Sequence, residues 1–215
     1  MFVDYPPFAV MVLFVVGKII NGFNLAANPG AHLLMIKLPS ILADVATAYL
    51  LYRLSKKHLQ KELSLLVVAL YVLNPAVILN STLWGQVDSF FTLLIVAALL
   101  MILKEKITHS SILFALAVLF KPQGIIFLPV LFFELVKRKK IKNFVTSFVS
   151  ALVTALVVIL PFSFGQSPLW IIELYSGTAG GYTYASLNAF NFFALLGANL
   201  KQDSSILFGF SYITW

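Results

Sequence analysis

No cysteine occurs among the 215 residues, so neither a disulfide framework nor a cysteine-ligated zinc site can form. Histidine is nearly as scarce: His32, His58 and His109 are scattered and offer no metal-ligand spacing. Charge is short too, at 11% of residues against about 25% in an ordinary soluble domain. The opening MFVDYPPFAV lacks the basic run and small-residue cleavage site of a signal peptide. Neither an internal repeat nor a low-complexity segment stands out.

What fills the space is apolar: 60% of the residues, with a mean hydropathy of +0.96. So much apolar surface cannot be hidden in one soluble core, and it excludes disorder, collagen and coiled coil alike. The chain reads as an all-α, polytopic transmembrane helical bundle embedded in a lipid bilayer. Its net charge of +7 would suggest nucleic acid in a soluble protein, but here the distribution of charge matters more than its size, and no nucleic-acid partner is expected. The sequence reads as a single transmembrane domain over residues 1–215. Because GFSYITW stops within an apolar aromatic run, a piece of a longer polypeptide is expected, truncated at both ends.

A spanning helix needs about 20 apolar residues, fewer where the bilayer thins. Such runs are Leu33–Leu54, Leu63–Leu83, Ser89–Leu103 and Phe144–Phe162. Two shorter runs, Ser111–Phe120 and Gly124–Val136, meet at Lys121-Pro122-Gln123 as one kinked helix or a hairpin of two. Lys and Arg concentrate in cytoplasmic loops. Here 11 of the 15 fall in three clusters: Arg53/Lys56/Lys57/Lys61, Lys104/Lys106 and Lys137–Lys142. If all three are cytoplasmic, an even number of crossings separates each from the next, which makes the Lys121 break an apex near the outer face and favours the hairpin. The same arithmetic puts residues 1–32 outside, with Pro6–Asn24 lying in the outer interface. Pro168–Tyr175, with Trp170 and Tyr175, suits a second interfacial helix because such rings favour the headgroup level.

The polar residues that interrupt the apolar pattern gather at this outer side, and ionisable groups at membrane depth are costly unless paired or facing a wet cavity. Lys121, on the apex and beside Gln123, can neutralise the phosphate of a lipid-linked substrate; the structural alternative is a lysine snorkelling to the interface. Asp88 with Gln86 can accept hydrogen bonds from sugar hydroxyls or orient Lys121, while Trp84 stacks on a sugar ring. Alternatively, Asp88 is an acid favoured by a helix N-terminus, and Trp84 an interface anchor.

Lys37 and Asp44, seven residues apart, share a helix face about 10 Å apart along the axis and read as a structural polar network. Asn74 before Pro75 reads as a kink, and Asn80 is a further polar interruption. Asp4 is either a general base for an acceptor hydroxyl or a solvated acid before Pro6-Pro7. Asn188 and Asn191, at i and i+3, either contact a ligand or cap a helix.

In order, Asp4-Tyr5-Pro6-Pro7, Lys37-Leu38-Pro39 with Ala43-Asp44, Asn74-Pro75, Trp84-Gly85-Gln86-Val87-Asp88, Lys121-Pro122-Gln123 and Ser186-Leu187-Asn188-Ala189-Phe190-Asn191 form a set. This set resembles the bacterial and archaeal mannosyltransferase-like proteins related to the GPI-anchor second mannosyltransferase, of the GT-C class of integral-membrane glycosyltransferases. The resemblance covers nearly the whole chain. It implies a GT-C bundle with interfacial helices on the outer face, in a bacterial or archaeal plasma membrane. It also implies a polyprenyl-phosphate sugar donor, mannose as the sugar, and inverting transfer at the outer face to a glycan, lipid or protein acceptor.

By the same resemblance, an acid in the first outer loop is the base, with Asp4 or a residue upstream of the chain in that role. Lys121, Gln123, Trp84, Gln86, Asp88, Asn188 and Asn191 would border the donor. Members of that family are usually about twice this length, with an earlier span and further spans beyond the present end. No cofactor is certain, and a divalent metal is left open. A lipid or solute transporter and a non-catalytic membrane scaffold are the rival functions. The one-sided gathering of polar residues and the lack of a repeat favour the enzyme over a transporter.

Overall fold

The computed structural model describes residues 5–180, 183–187, 191–207 and 209–211. They divide into two compact units, one ending at Gly165 and the other starting at Gln166. Helices dominate, as composition requires.

In the first unit, α1 (Pro7–Gly22) starts with proline at its first position, where no amide hydrogen is needed. Asn28 starts α2 (Pro29–Ser55) by accepting from the Gly30 and Ala31 amides, both at 3.1 Å. After α3 (Lys61–Val72) the chain breaks at Asn74-Pro75. Proline cannot continue the helical ladder, and Asn74 Oδ1 accepts from the Ala76 amide at 2.9 Å to start the short α4 (Pro75–Ile78). A π-helical turn, Leu79–Trp84, follows and is ended by Gly85 at φ +81°. The two halves of this apolar stretch are bent by 47°. Then come α5 (Asp88–Leu103), α6 (Ile107–Phe120), a 3-10 segment Pro122–Phe127, α7 (Leu128–Arg138) and α8 (Ile141–Ile159), which runs on as a 3-10 turn to Phe162.

The expected spans meet this geometry unevenly. Pro29–Ser55 and Ile141–Phe162, with 27 and 22 residues, are long and apolar enough to cross a bilayer. Leu63–Leu83 is the bent stretch, a third crossing if its halves count as one. Ser89–Leu103 is helical, but the 16 residues of α5 reach only about 24 Å, short of the roughly 30 Å hydrocarbon core. The proline after Lys121 and the 3-10 turn there produce two short helices rather than one kinked one.

Packing inverts the soluble pattern. Leu66, Leu70, Phe148 and Val153 point outward, while the buried polar residues of this unit are all serine or threonine: Ser40, Thr47, Ser64, Ser81, Ser89, Ser110, Ser111 and Ser147. In lipid no hydrophobic force drives helices together, so small residues that let backbones approach line the interfaces. Helix α6 lies at the centre, packed on α5 and α8, with Ile107, Ser110, Ser111, Phe114 and Ala117 buried along one helical stripe.

The basic clusters come together pairwise. Arg53, Lys57 and Lys104 line one cavity, and Lys106 and Arg138 line another. Because Arg138 at the end of α7 returns to the start of α6, these two helices form a hairpin with Lys121 at its far end.

In the second unit, α9 (Trp170–Gly180) covers much of the stretch expected to be an interfacial helix, and α10 (Phe192–Leu195) is a single turn. A two-stranded antiparallel hairpin pairs Ile206–Leu207 with Phe210–Ser211.

Candidate functional site

Lys121 is the point where α6 stops. Its backbone is extended, at φ −144° and ψ 126°, though its amide still donates to the Ala117 carbonyl at 2.8 Å. Pro122 forbids further helix, and the next turn folds back so tightly that Gly124 lies against the backbone of α6. A Cβ there would meet the Ala117 carbonyl carbon and the Val118 nitrogen at 3.0 Å. This contact aims Lys121 across to the start of α5, where its ammonium pairs with the carboxylate of Asp88. The Lys121 and Asp88 side chains are 31% and 40% exposed, so the pair is reachable from outside.

Three phenylalanines fix the base of the pair. Phe120 and Phe90 stack with centroids 5.0 Å apart, and Phe8 of α1 meets both edge-on at 5.9 and 6.2 Å. Each of the first two lies within two residues of a member of the ion pair, so the rings hold the ends of α5 and α6 in register.

The second oxygen of Asp88 accepts from the Asn80 side-chain amide at 3.3 Å. Asn80 belongs to the π-helical turn, and its carbonyl accepts from the Gln86 amide at 2.9 Å. A π turn leaves backbone carbonyls without their regular partners, and at membrane depth they need others. One face of α2 supplies them. The Lys37 ammonium donates to the carbonyls of Thr82 at 2.7 Å and Leu83 at 2.9 Å, and the Ser40 hydroxyl donates to the Gln86 carbonyl at 2.7 Å. Further along the same face, Asp44 accepts from the Tyr71 hydroxyl at 2.8 Å. The aliphatic part of Lys37 lies over Gly85, where a Cβ would come within 3.2 Å of it.

Lys37 and Asp44 thus reach two separate places on the bent stretch rather than bracketing one partner. Lys37→Met is expected to leave two carbonyls without a charged donor. At about 1.5–3 kcal/mol for a hydrogen bond to a charged group, the protein in detergent should lose several degrees of thermal stability. A melting curve like that of the unsubstituted chain would show that the π turn stands without it.

The structure therefore brings Lys121, Asp88 and Gln86 together through Asn80 at the end of the first unit opposite the basic clusters, whereas Asn74 caps α4 and, among the described residues, shares no hydrogen bond with them. Trp84 projects outward at 71% exposure, and Gln123 is exposed beside the apex. Asn191 belongs to the second unit, where its side chain caps α10 by accepting from the Ala194 amide at 2.9 Å. Asp4 and Asn188 lie outside the described residues.

Asn80, Ser40 and Tyr71 were not singled out as site residues from the sequence. Ser40 could have been, because it follows Lys37 by three positions and precedes Asp44 by four on the same helical face. Asn80 carried the signal of a polar residue in an apolar run, whereas nothing in the sequence pairs Tyr71 with Asp44. Beside the bend, a cavity of about 300 Å³ opens among Asp44, Val45, Leu73, Ile78 and Thr82.

Comparison with known proteins gives the site its context. The family model for glycosyltransferase family 87 matches residues 2–204, almost the entire chain and every motif named above. No curated protein and no solved structure matches. With apolar helices of spanning length and a family match of this extent, the chain belongs to glycosyltransferase family 87, a family of membrane glycosyltransferases.

Proposed function

We propose that this glycosyltransferase takes its sugar, mannose, from a polyprenyl-phosphate donor, and that transfer occurs at the outer face, as in the mannosyltransferases related to the GPI-anchor second enzyme. The observation that carries this reading is the Lys121–Asp88 pair: a fixed cation on a hairpin apex, partly open, at the end away from the basic clusters. A donor of this kind leaves as a phosphate, so its departure needs a positive group where negative charge develops. Lys121 is that group.

In an inverting transfer the acceptor oxygen attacks the anomeric carbon while the carbon–oxygen bond to phosphate breaks. The acceptor proton passes to a carboxylate, and the bonding electrons leave with the polyprenyl phosphate. Asp4 is the carboxylate proposed for the proton. Asp88 and Gln86 hydrogen-bond the sugar, Trp84 offers it a ring face, and Gln123 completes the donor contacts within this unit. The apolar cavity beside the bend suits the first isoprenoid units, because its wall includes Thr82, two residues from Asn80. A Rossmann-type glycine turn is not required for a lipid-phosphate donor.

Photo-crosslinking with a polyprenyl-phosphate-mannose probe tests this directly. Labelling of the membrane-embedded chain should fall by about tenfold or more in Lys121→Ala and in Asp88→Asn, the scale of a lost charge-assisted contact. Labelling that is unchanged in both would reduce Lys121 to an interface anchor and remove the donor from this site.

A further inference from the structure

The end of the first unit opposite the Lys121–Asp88 pair carries a second feature, in which the transfer chemistry has no part. A cavity of about 240 Å³ lies between the end of α2 and the end of α5. One wall is apolar, made by Leu50, Leu54 and the buried Leu100, and the rim carries three cations, Arg53, Lys57 and Lys104. They come from two sequence clusters some fifty residues apart, Arg53 and Lys57 from one and Lys104 from the other, joined here because α2 packs on α5.

No acid lines the cavity, and among the described residues none of the three cations forms an ion pair with a carboxylate. Arg53 is already oriented: its guanidinium donates to the Tyr49 hydroxyl at 3.0 Å and lies 5.8 Å from the centre of the Tyr49 ring. Tyr49 and Arg53, four residues apart, share a face of α2 with Leu50 and Leu54 beside them, and Lys57 follows in the turn after the helix.

We propose that this cavity binds an anionic phospholipid of the leaflet on the side of the basic clusters, with the phosphate among Arg53, Lys57 and Lys104 and an acyl chain along Leu50, Leu54 and Leu100. Three like charges held around one small space repel each other until an anion enters. The distribution of Lys and Arg places this end at the cytoplasmic leaflet, whose anionic lipids attract basic groups, and basic pockets between helices at this level suit phosphate headgroups. A free phosphate would satisfy the rim but leave the leucine wall unused. The wall therefore selects a lipid over a soluble anion.

The test is native mass spectrometry of the full chain released from detergent micelles doped with phosphatidylglycerol or phosphatidylcholine. The variants are Arg53→Gln/Lys57→Gln/Lys104→Gln and a control that removes the same charge elsewhere, Lys137→Gln/Lys139→Gln/Lys140→Gln. The unsubstituted chain and the control should retain phosphatidylglycerol at least about tenfold better than phosphatidylcholine, and the first variant should lose that preference. Equal loss in both variants would mean attraction by overall charge and would overturn the site. Displacement of the lipid by millimolar inorganic phosphate would overturn the lipid assignment in favour of a soluble anion. If the triple variant is not recovered folded, Lys104→Gln alone is read the same way: an intermediate preference supports the site, and an unchanged one refutes it.

Discussion

Exchanging the two charges of the central pair, with Asp88→Lys and Lys121→Asp together, is expected to give a folded protein that transfers sugar about a thousandfold more slowly. Each single substitution leaves two like charges facing one another and should weaken the fold more than the double. In the double variant opposite charges again meet between the start of α5 and the end of α6. The recovery should be incomplete, because an acid at the first turn of a helix is favoured by the helix dipole by about 0.3–1 kcal/mol and a lysine there is not.

Activity follows a different rule. The developing phosphate charge would meet a carboxylate at position 121, and loss of a preorganised stabilising group costs about 10²–10³ in rate before repulsion is added. Melting temperature and transfer rate, measured on the same four proteins, should therefore separate. If the exchanged protein transfers at the original rate, the pair is a strut and the phosphate is neutralised elsewhere.

The second large effect is expected from a residue without a side chain. Gly124→Val puts a branched side chain where even a single Cβ would stand 3.0 Å from the Ala117 and Val118 backbone. Backbone atoms in the last turn of a helix cannot give way as a flexible side chain can, so the segment Pro122–Phe127 must lift off α6. Overpacking of this kind costs about 1–3 kcal/mol, and Lys121, three residues away, would lose its aim at Asp88. Both a lower melting temperature and a loss of transfer comparable to that of Lys121→Ala are expected. Gly17→Ala is the matched control. Nothing lies within 4 Å of a Cβ at that position in α1, and alanine favours helix over glycine by about 0.5–1 kcal/mol. A Gly124→Val protein as stable and active as the Gly17 variant would show that the hairpin turn is not what positions the cation.

Much of this site could be read before any coordinates, because membrane depth makes polar residues conspicuous. Lys121, Asp88 and Asn74 each interrupt an apolar run, and Asn74-Pro75 broke the helix as proline must. Charge clusters foretold which ends lie together, and the shared cavities of Arg53 with Lys104 and of Lys106 with Arg138 agree with that. Partner identity was less legible. Lys37 and Asp44 plainly share a face, but nothing in the sequence says that one holds the carbonyls of Thr82 and Leu83 while the other takes the Tyr71 hydroxyl. The Lys37 bonds exist because a π turn leaves carbonyls to be met, and hydropathy has no signature for an extra residue in a helical turn. Helix extent was legible here: the run Ser89–Leu103 matches α5 to within one residue, and only the reach of 16 helical residues, about 24 Å, falls short of the hydrocarbon core.

The Asn80 contact gives the resting pair a consequence of its own. An ammonium already held by a carboxylate has no net pull on stray anions, so small phosphates in the surrounding water face a closed account. On the proposed function, a lipid phosphate arriving at Lys121 would displace Asp88, and its affinity would be the difference between two partners of one cation. Asp88 is not left adrift when that happens, since Asn80 still grips its other oxygen. In that reading the carboxylate would act as a resident competitor with a place to retire to, setting a threshold that only a ligand with further contacts along the bend would cross.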